Sequence, residues 1–183
     1  MTLTKARLSA LVVMTTMFGY LLGAKLAGFD AWLLIHTLFG TTLCAFAAAV
    51  YNQILEMDAD RRMARTADRP LAARRMAPEV AFVLGWLLAG LGILHLLMKV
   101  NLAAAALAGS TIAVYIFVYT PLKSRSTSNT LVGAVSGALP PLIGWAAAGQ
   151  GLITWEALFL FGLLFFWQLP HFLAINWMYR EQY

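Results

Sequence analysis

Asn52, Glu56 and Asp60 stand four residues apart at the end of a long apolar stretch, so on one continuous helix they share a face. An amide and two carboxylates are hard oxygen donors, and such donors suit Mg²⁺. A basic run follows at once, with Arg61, Arg62, Arg65 and Arg69. Guanidiniums present a planar fork of donors that fits phosphate oxygens. Carboxylates beside arginines at a membrane surface therefore predict a site in which Asn52, Glu56 and Asp60 hold a metal ion, while the ion and the arginines hold a diphosphate. Asp58 points away from the shared face. Asn52 lies one turn deeper in the apolar stretch, where a polar side chain needs a partner. Thr66, Arg69 and Pro70 end the helix, because a residue before proline is pushed out of the α region. The plainer alternative is a solvated helix end whose charges only mark where lipid stops.

Two further blocks carry polar groups. Residues 119–145 contain Lys123 and Arg125, the first a point charge suited to a phosphate oxygen. Gly133 and Gly137 form a GxxxG pattern that lets helices approach closely. Pro140 and Pro141 should bend or end a helix, so the span that contains them is expected to line a cavity. Residues 167–183 place Gln168, His171 and Asn176 in an apolar setting, with Pro170 beside His171. His171 is compatible with a hydrogen-bonded core histidine or an acid/base. His36 reads as a packed polar residue and His95 as an interfacial one.

A bilayer must position these groups. The 183-residue chain is 61% hydrophobic and 11% charged, with mean hydropathy +0.75; soluble domains carry about 25% charged residues. At ~20 residues per span, six helices are expected, over 8–25, 31–56, 79–98, 101–120, 130–149 and 153–177. The predicted class is all-α, a polytopic membrane helix bundle in a single membrane domain over 1–183. The first span reads as a retained helix rather than a signal peptide, because no convincing small-residue cleavage site follows it.

Charge sets the orientation. With the N-terminus in the cytoplasm, Lys5, Arg7, Arg61, Arg62, Arg65, Arg69, Arg74, Arg75, Lys123, Arg125 and Arg180 fall inside, and only Lys25 and Lys99 fall outside. This bias accounts for the pI of 9.7 without nucleic acid, and suits anionic lipid heads. Cys44 is the single cysteine, so an internal disulfide, a thiolate metal site and c-type haem attachment are excluded.

The first block resembles the opening motif of the UbiA-type intramembrane prenyltransferases, Asn-Asp-x-x-Asp-x-x-x-Asp followed by Arg-x-x-Arg-Pro. Here Asn52, Glu56 and Asp60 are followed by Arg65, Arg69 and Pro70. Gln53 and Glu56 stand where that motif has Asp. Both, with Met63, Thr66 and Leu71, are similar to the branch that farnesylates protohaem, the haem O synthases. Residues 119–145 and the Trp-Gln-x-Pro-His-Phe pattern at 167–172 resemble the same branch. Gln182, with Glu181 beside it, stands where that branch has Asp.

The resemblance implies a nine-helix fold around a central cavity, of which six helices are expected here, as an N-terminal fragment cut short at the C-terminus and inactive alone. It implies transfer of a farnesyl group from farnesyl diphosphate to the vinyl group of haem B, giving haem O, with Mg²⁺ as cofactor and no redox cofactor. Glu56, Asp60 and His171 would be catalytic; His171 could also face the porphyrin. Arg65, Arg69, Lys123 and Arg125 would bind diphosphate, and Asn52, Glu56 and Asp60 the metal. Tyr51 or Tyr119 could stabilise an allylic cation through a π face. The implied setting is the cell inner membrane, with haem A synthase or a terminal-oxidase assembly as candidate partners. Two alternatives stay open: a prenyltransferase with another aromatic acceptor, such as a quinone precursor or a chlorin, and a non-catalytic membrane haem-handling protein for which Mg²⁺ would not matter.

Overall fold

The computed structural model describes residues 3–64, 66–122 and 128–178. Its elements are α1 (Ala6–Ala27), α2 (Ala31–Leu55), α3 (Met57–Arg62), α4 (Pro78–Lys99), α5 (Leu102–Ala113), a π-helical segment (Val114–Tyr119), α6 (Thr120–Leu122), α7 (Asn129–Ala138), α8 (Pro140–Ala147) and α9 (Trp155–Met178). Six stretches are long and apolar enough to cross a membrane: 8–27, 31–55, 78–99, 102–122, 129–147 and 155–174. They match the expected spans to within a few residues, and the protein is a multi-pass helical membrane bundle.

The helices start where the sequence supplies caps. The Asp30 carboxylate accepts the backbone N–H groups of Trp32 and Leu33 at 2.8 and 3.1 Å. Asn101 does the same for Ala104 at 2.8 Å and donates its amide to Ala146 O at 2.7 Å, which ties α5 to the end of α8. Pro78 opens α4 at a position whose N–H would have no partner anyway. Successive spans alternate direction. The end of α2, the start of α4, the end of the π-helical segment, the start of α7 and the end of α9 therefore share one face, here called the site face. Gln53 Nε2 donates to Leu3 O at 2.8 Å and holds the N-terminal residues on that same face.

Lipid tails are as apolar as leucine, so close packing rather than water exclusion draws spans together. Two helix pairs rely on it. In α1 and α8, a Cβ on Gly144 would lie 1.9 Å from Thr16 O, and one on Gly19 would lie 1.9 Å from Pro141 O. Thr16 Oγ1 donates to Pro140 O at 3.1 Å across the same seam. In α2 and α4, a Cβ on Gly92 would lie 2.7 Å from Cys44 Sγ and 3.0 Å from Gly40 O. Large side chains such as Trp86, Leu91, Phe159 and Phe166 point outward and form the lipid face. Gly144→Ala should accordingly force α1 and α8 apart and cost about 3 kcal/mol. Gly162→Ala on α9, where nothing lies within 4 Å, should cost nothing measurable. A thermal-stability series in detergent, read by size-exclusion chromatography, checks the pair.

Pro140 and Pro141 split the fifth span as expected: α7 stops at Ala138 and α8 starts at Pro140. The GxxxG pair works differently from the expected backbone approach. The Tyr119 ring lies over Gly133, and the Gln168 amide lies over Gly137. These glycines make room for side chains, while the backbone-to-backbone contacts fall to Gly19, Gly40, Gly92 and Gly144.

Candidate metal and diphosphate site

The face shared by Asn52, Glu56 and Asp60 forms on two helices rather than one. The helix breaks at Glu56, whose backbone (φ −96°, ψ 5°) leaves the α region, and α3 begins one residue later. The break keeps Asn52 and Glu56 one turn apart and lets α3 swing Asp60 inward, to 2% exposure. Thr66 Oγ1 donates to Asp60 O at 3.0 Å, which folds the chain after α3 back over the site. Leu71 and Ala72 are buried beneath this return.

Arg69 comes back with that loop. Its Nη1 lies 2.6 Å from Asp60 Oδ2 and 3.7 Å from Glu56 Oε2, so the carboxylate at the helix break and one on α3 converge on one cationic nitrogen. The same Glu56 oxygen accepts Asn52 Nδ2 at 2.6 Å. Asn52 Oδ1 in turn accepts the hydroxyl of Tyr115 at 2.9 Å. Asp58 faces the other way, with a side chain 78% exposed, and pairs with Arg61 at 3.1 Å. Its separation from the site was legible from helical spacing alone.

Tyr115 is the residue sequence reasoning missed. It lies on the π-helical segment, whose wider turn changes the register of the residues after it. A π turn has no reliable sequence signature, so α-helical spacing could not have placed this side chain. Tyr115 stacks on Tyr119, with ring centroids 5.2 Å apart and planes 26° from parallel. The Tyr119 and Phe172 rings both lie against Gly133. Tyr115, Tyr119 and Phe172 thus make an aromatic wall from Asn52 to α9. Tyr51, the other aromatic expected near the site, turns towards α4 instead: its ring packs on Gly85 and meets Phe82 edge-on at 5.8 Å. One residue along a helix is a turn of about 100°, and Asn52 already occupies the direction of the site.

His171 is exposed on α9 and stacks on Trp167 at 5.0 Å. No contact among the described residues joins it to Asp60, Glu56 or Arg69. Arg65, Lys123, Arg125, Glu181, Gln182 and the side chain of Asn176 lie outside the described residues. Among the described residues, no three His, Cys, Asp or Glu side chains gather closely enough to hold a metal by themselves. The oxygen set the structure brings together is the two carboxylates of Glu56 and Asp60, with the Asn52 amide turning its nitrogen to Glu56 and its oxygen to the Tyr115 hydroxyl. The carboxylates are hard oxygen donors that leave places for water and phosphate oxygens, as Mg²⁺ requires. Glu56 and Asp60 both face the same guanidinium nitrogen.

Tyr115→Phe isolates the role of the phenol. Without the hydroxyl the Asn52 amide loses its anchor, and Mn²⁺ used as a divalent probe should bind about tenfold more weakly with little change in thermal stability, in the range seen for groups that orient metal ligands. A manganese titration beside a melting curve checks this.

Residues 12–183 match the profile of the UbiA prenyltransferase family. The chain belongs to that family. Among curated UbiA relatives it is 48% identical over 182 residues to the protoheme IX farnesyltransferase of Opitutus terrae, covering 99% of this chain and 60% of the relative. It is 43% identical over 189 residues to that of Solibacter usitatus, covering 99% of this chain and 64% of the relative. It is 43% identical over 181 residues to the mitochondrial protoheme IX farnesyltransferase of Arabidopsis thaliana, covering 99% of this chain and 42% of the relative. The chain therefore spans less than two thirds of the length of these relatives. A solved structure from work on digeranylgeranylglyceryl phosphate synthase superposes with a TM-score of 0.82 at 17% identity, covering 98% of this chain and 62% of that one. At that identity the likeness is one of fold.

Proposed function

We propose that this chain forms the diphosphate-binding part of an enzyme that transfers a farnesyl group from farnesyl diphosphate to the vinyl group of haem B, giving haem O. The observation that carries the reading is the convergence of Glu56 and Asp60 on the Arg69 guanidinium, with the Asn52 amide hydrogen-bonded to Glu56 beside them. The names of the relatives that align with nearly the whole chain support the choice of acceptor.

Asn52, Glu56 and Asp60 would hold Mg²⁺, which when bound neutralises charge on the diphosphate as it leaves. The rest falls to the chain's own residues. Arg69 holds the two carboxylates together in the substrate-free protein. When the diphosphate arrives, its guanidinium turns from the carboxylates to phosphate oxygens, joined by Arg65, Lys123 and Arg125. The allylic C–O bond breaks and its electron pair leaves with the diphosphate. The Tyr115, Tyr119 and Phe172 wall shields the farnesyl cation from water and offers it π faces. The haem vinyl group attacks that cation, water adds to the carbocation formed on the haem side, and His171 takes the proton that water releases. The site face is cytoplasmic, by the positive charge gathered there, in the cell inner membrane, where haem A synthase or a terminal-oxidase assembly would receive the product.

The test is product identification. The complete gene product in membranes, given haem B, farnesyl diphosphate and Mg²⁺, should yield haem B plus farnesyl plus one hydroxyl by mass spectrometry. Farnesylation of a quinone precursor or chlorin but not of haem would overturn the acceptor. Haem binding with no transfer would overturn the enzyme reading.

A further inference from the structure

At the opposite face of the membrane, His36 of α2 and His95 of α4 meet, with His36 Nδ1 3.2 Å from His95 Nε2. The sequence reads His36 as a packed polar residue and His95 as an interfacial one; the structure pairs them. The contact is built by the helix seam beside it. Gly40 is one turn from His36, and Gly92 is three residues from His95. The near absence of side chain at both glycines brings the backbones together. The rings are also fixed from the side. Trp32 stacks on His36 with centroids 6.3 Å apart, and Phe39 meets His95 edge-on at 5.0 Å. Both imidazoles remain part-exposed, so a small ion can reach them. His36 lies five residues into α2 and His95 four residues before the end of α4. At 1.5 Å per residue this is about 6–8 Å from the helix ends, a depth at which water and headgroups still reach. Asp30, which caps α2, and Lys99, one turn beyond His95, are the nearest charges along the two helices.

We propose that His36 and His95 form a two-imidazole site for a borderline divalent transition-metal cation of the Zn²⁺ class. The spacing is the argument. With Zn–N bonds of about 2.0–2.1 Å, nitrogens 3.2 Å apart subtend about 100° at the metal, close to tetrahedral. The lone pair and N–H that now face each other would become two lone pairs on one ion once the donor imidazole carries its proton on its other ring nitrogen, with both rings staying neutral. Water completes the coordination. Imidazole nitrogen suits Zn²⁺ and not Mg²⁺, so this site is chemically separate from the carboxylate site and stands or falls independently of it.

The probe is Zn²⁺ itself, with protein purified without a polyhistidine tag. Competition against a chromogenic chelator in detergent should show one Zn²⁺ per chain at micromolar affinity, weakened at least tenfold in both His36→Gln and His95→Gln. X-ray absorption at the zinc edge of the unsubstituted protein should show two imidazole nitrogens at about 2.0–2.1 Å, a readout that needs neither variant to fold. Zinc uptake no greater than the detergent blank, equal affinity in wild type and both variants, or an absorption spectrum lacking two imidazoles would each overturn the site and leave the pair as an interhelical hydrogen bond.

Discussion

Replacing Asp60 with Asn should lower farnesyl transfer at least a hundredfold and leave the protein folded. Asp60 is buried to 2% exposure, and its Oδ2 lies 2.6 Å from Arg69 Nη1. Asn keeps the size and one acceptor oxygen but removes the charge. In the proposed site one carboxylate, Glu56, then remains for a doubly charged ion, and the diphosphate would lose much of the positive field that stabilises its departure. Removing one preorganised electrostatic contact from a reacting centre costs about 10²–10³ in rate. Asp58→Asn, two residues away, is the internal control. Asp58 is exposed and, among the described residues, pairs with Arg61 across the surface, where such pairs contribute little, so activity should stay within about twofold. Transfer by Asp60→Asn within tenfold of wild type would contradict the role given to this carboxylate.

Arg69→Gln should shift two affinities in opposite directions. In the substrate-free protein the guanidinium sits between Asp60 and Glu56, at 2.6 and 3.7 Å, where it competes with any metal for the same oxygens. Without it, Mn²⁺ used as a Mg²⁺ probe should bind the free protein about tenfold more tightly. Farnesyl diphosphate should bind at least tenfold more weakly, since a charge-assisted contact is worth about 1.5–3 kcal/mol. A residue that merely braced the loop would weaken both when lost. Arg69→Lys separates charge from shape: it keeps the cation but not the planar fork, and should recover metal competition more fully than diphosphate affinity. Manganese binding followed by electron paramagnetic resonance, beside isothermal titration with farnesyl diphosphate, reads both quantities on the same preparations.

Much of this architecture was legible in the sequence. The spans followed from runs of apolar residues long enough to cross a bilayer, and the break at Pro140–Pro141 from proline chemistry. The opposite facing of Asp58 and Asp60 followed from helical period, and the one-turn separation of Asn52 and Glu56 from the same period. Three features were not legible, each for a physical reason. The break at Glu56 is a backbone event between two good helical segments, and no proline or glycine marks it. The placement of Tyr115 depends on a π turn, which shifts register without any residue that demands it. The His36–His95 contact joins residues 59 apart in sequence. It depends on how closely α2 and α4 pack, which the small residues Gly40 and Gly92 permit but do not announce. Local periodicity shows which face a residue occupies; the partner on the facing helix is set by tertiary packing.

The claim on which the rest depends is that the cluster of Asn52, Glu56 and Asp60 holds diphosphate through a divalent cation. Binding of farnesyl diphosphate to the complete gene product, measured with Mg²⁺ and again after chelation, tests it directly. Binding that is strong with Mg²⁺, falls at least tenfold on chelation and is lost in Asp60→Asn is the predicted result. Binding that is unchanged by chelation, or unchanged in Asp60→Asn, would contradict the account.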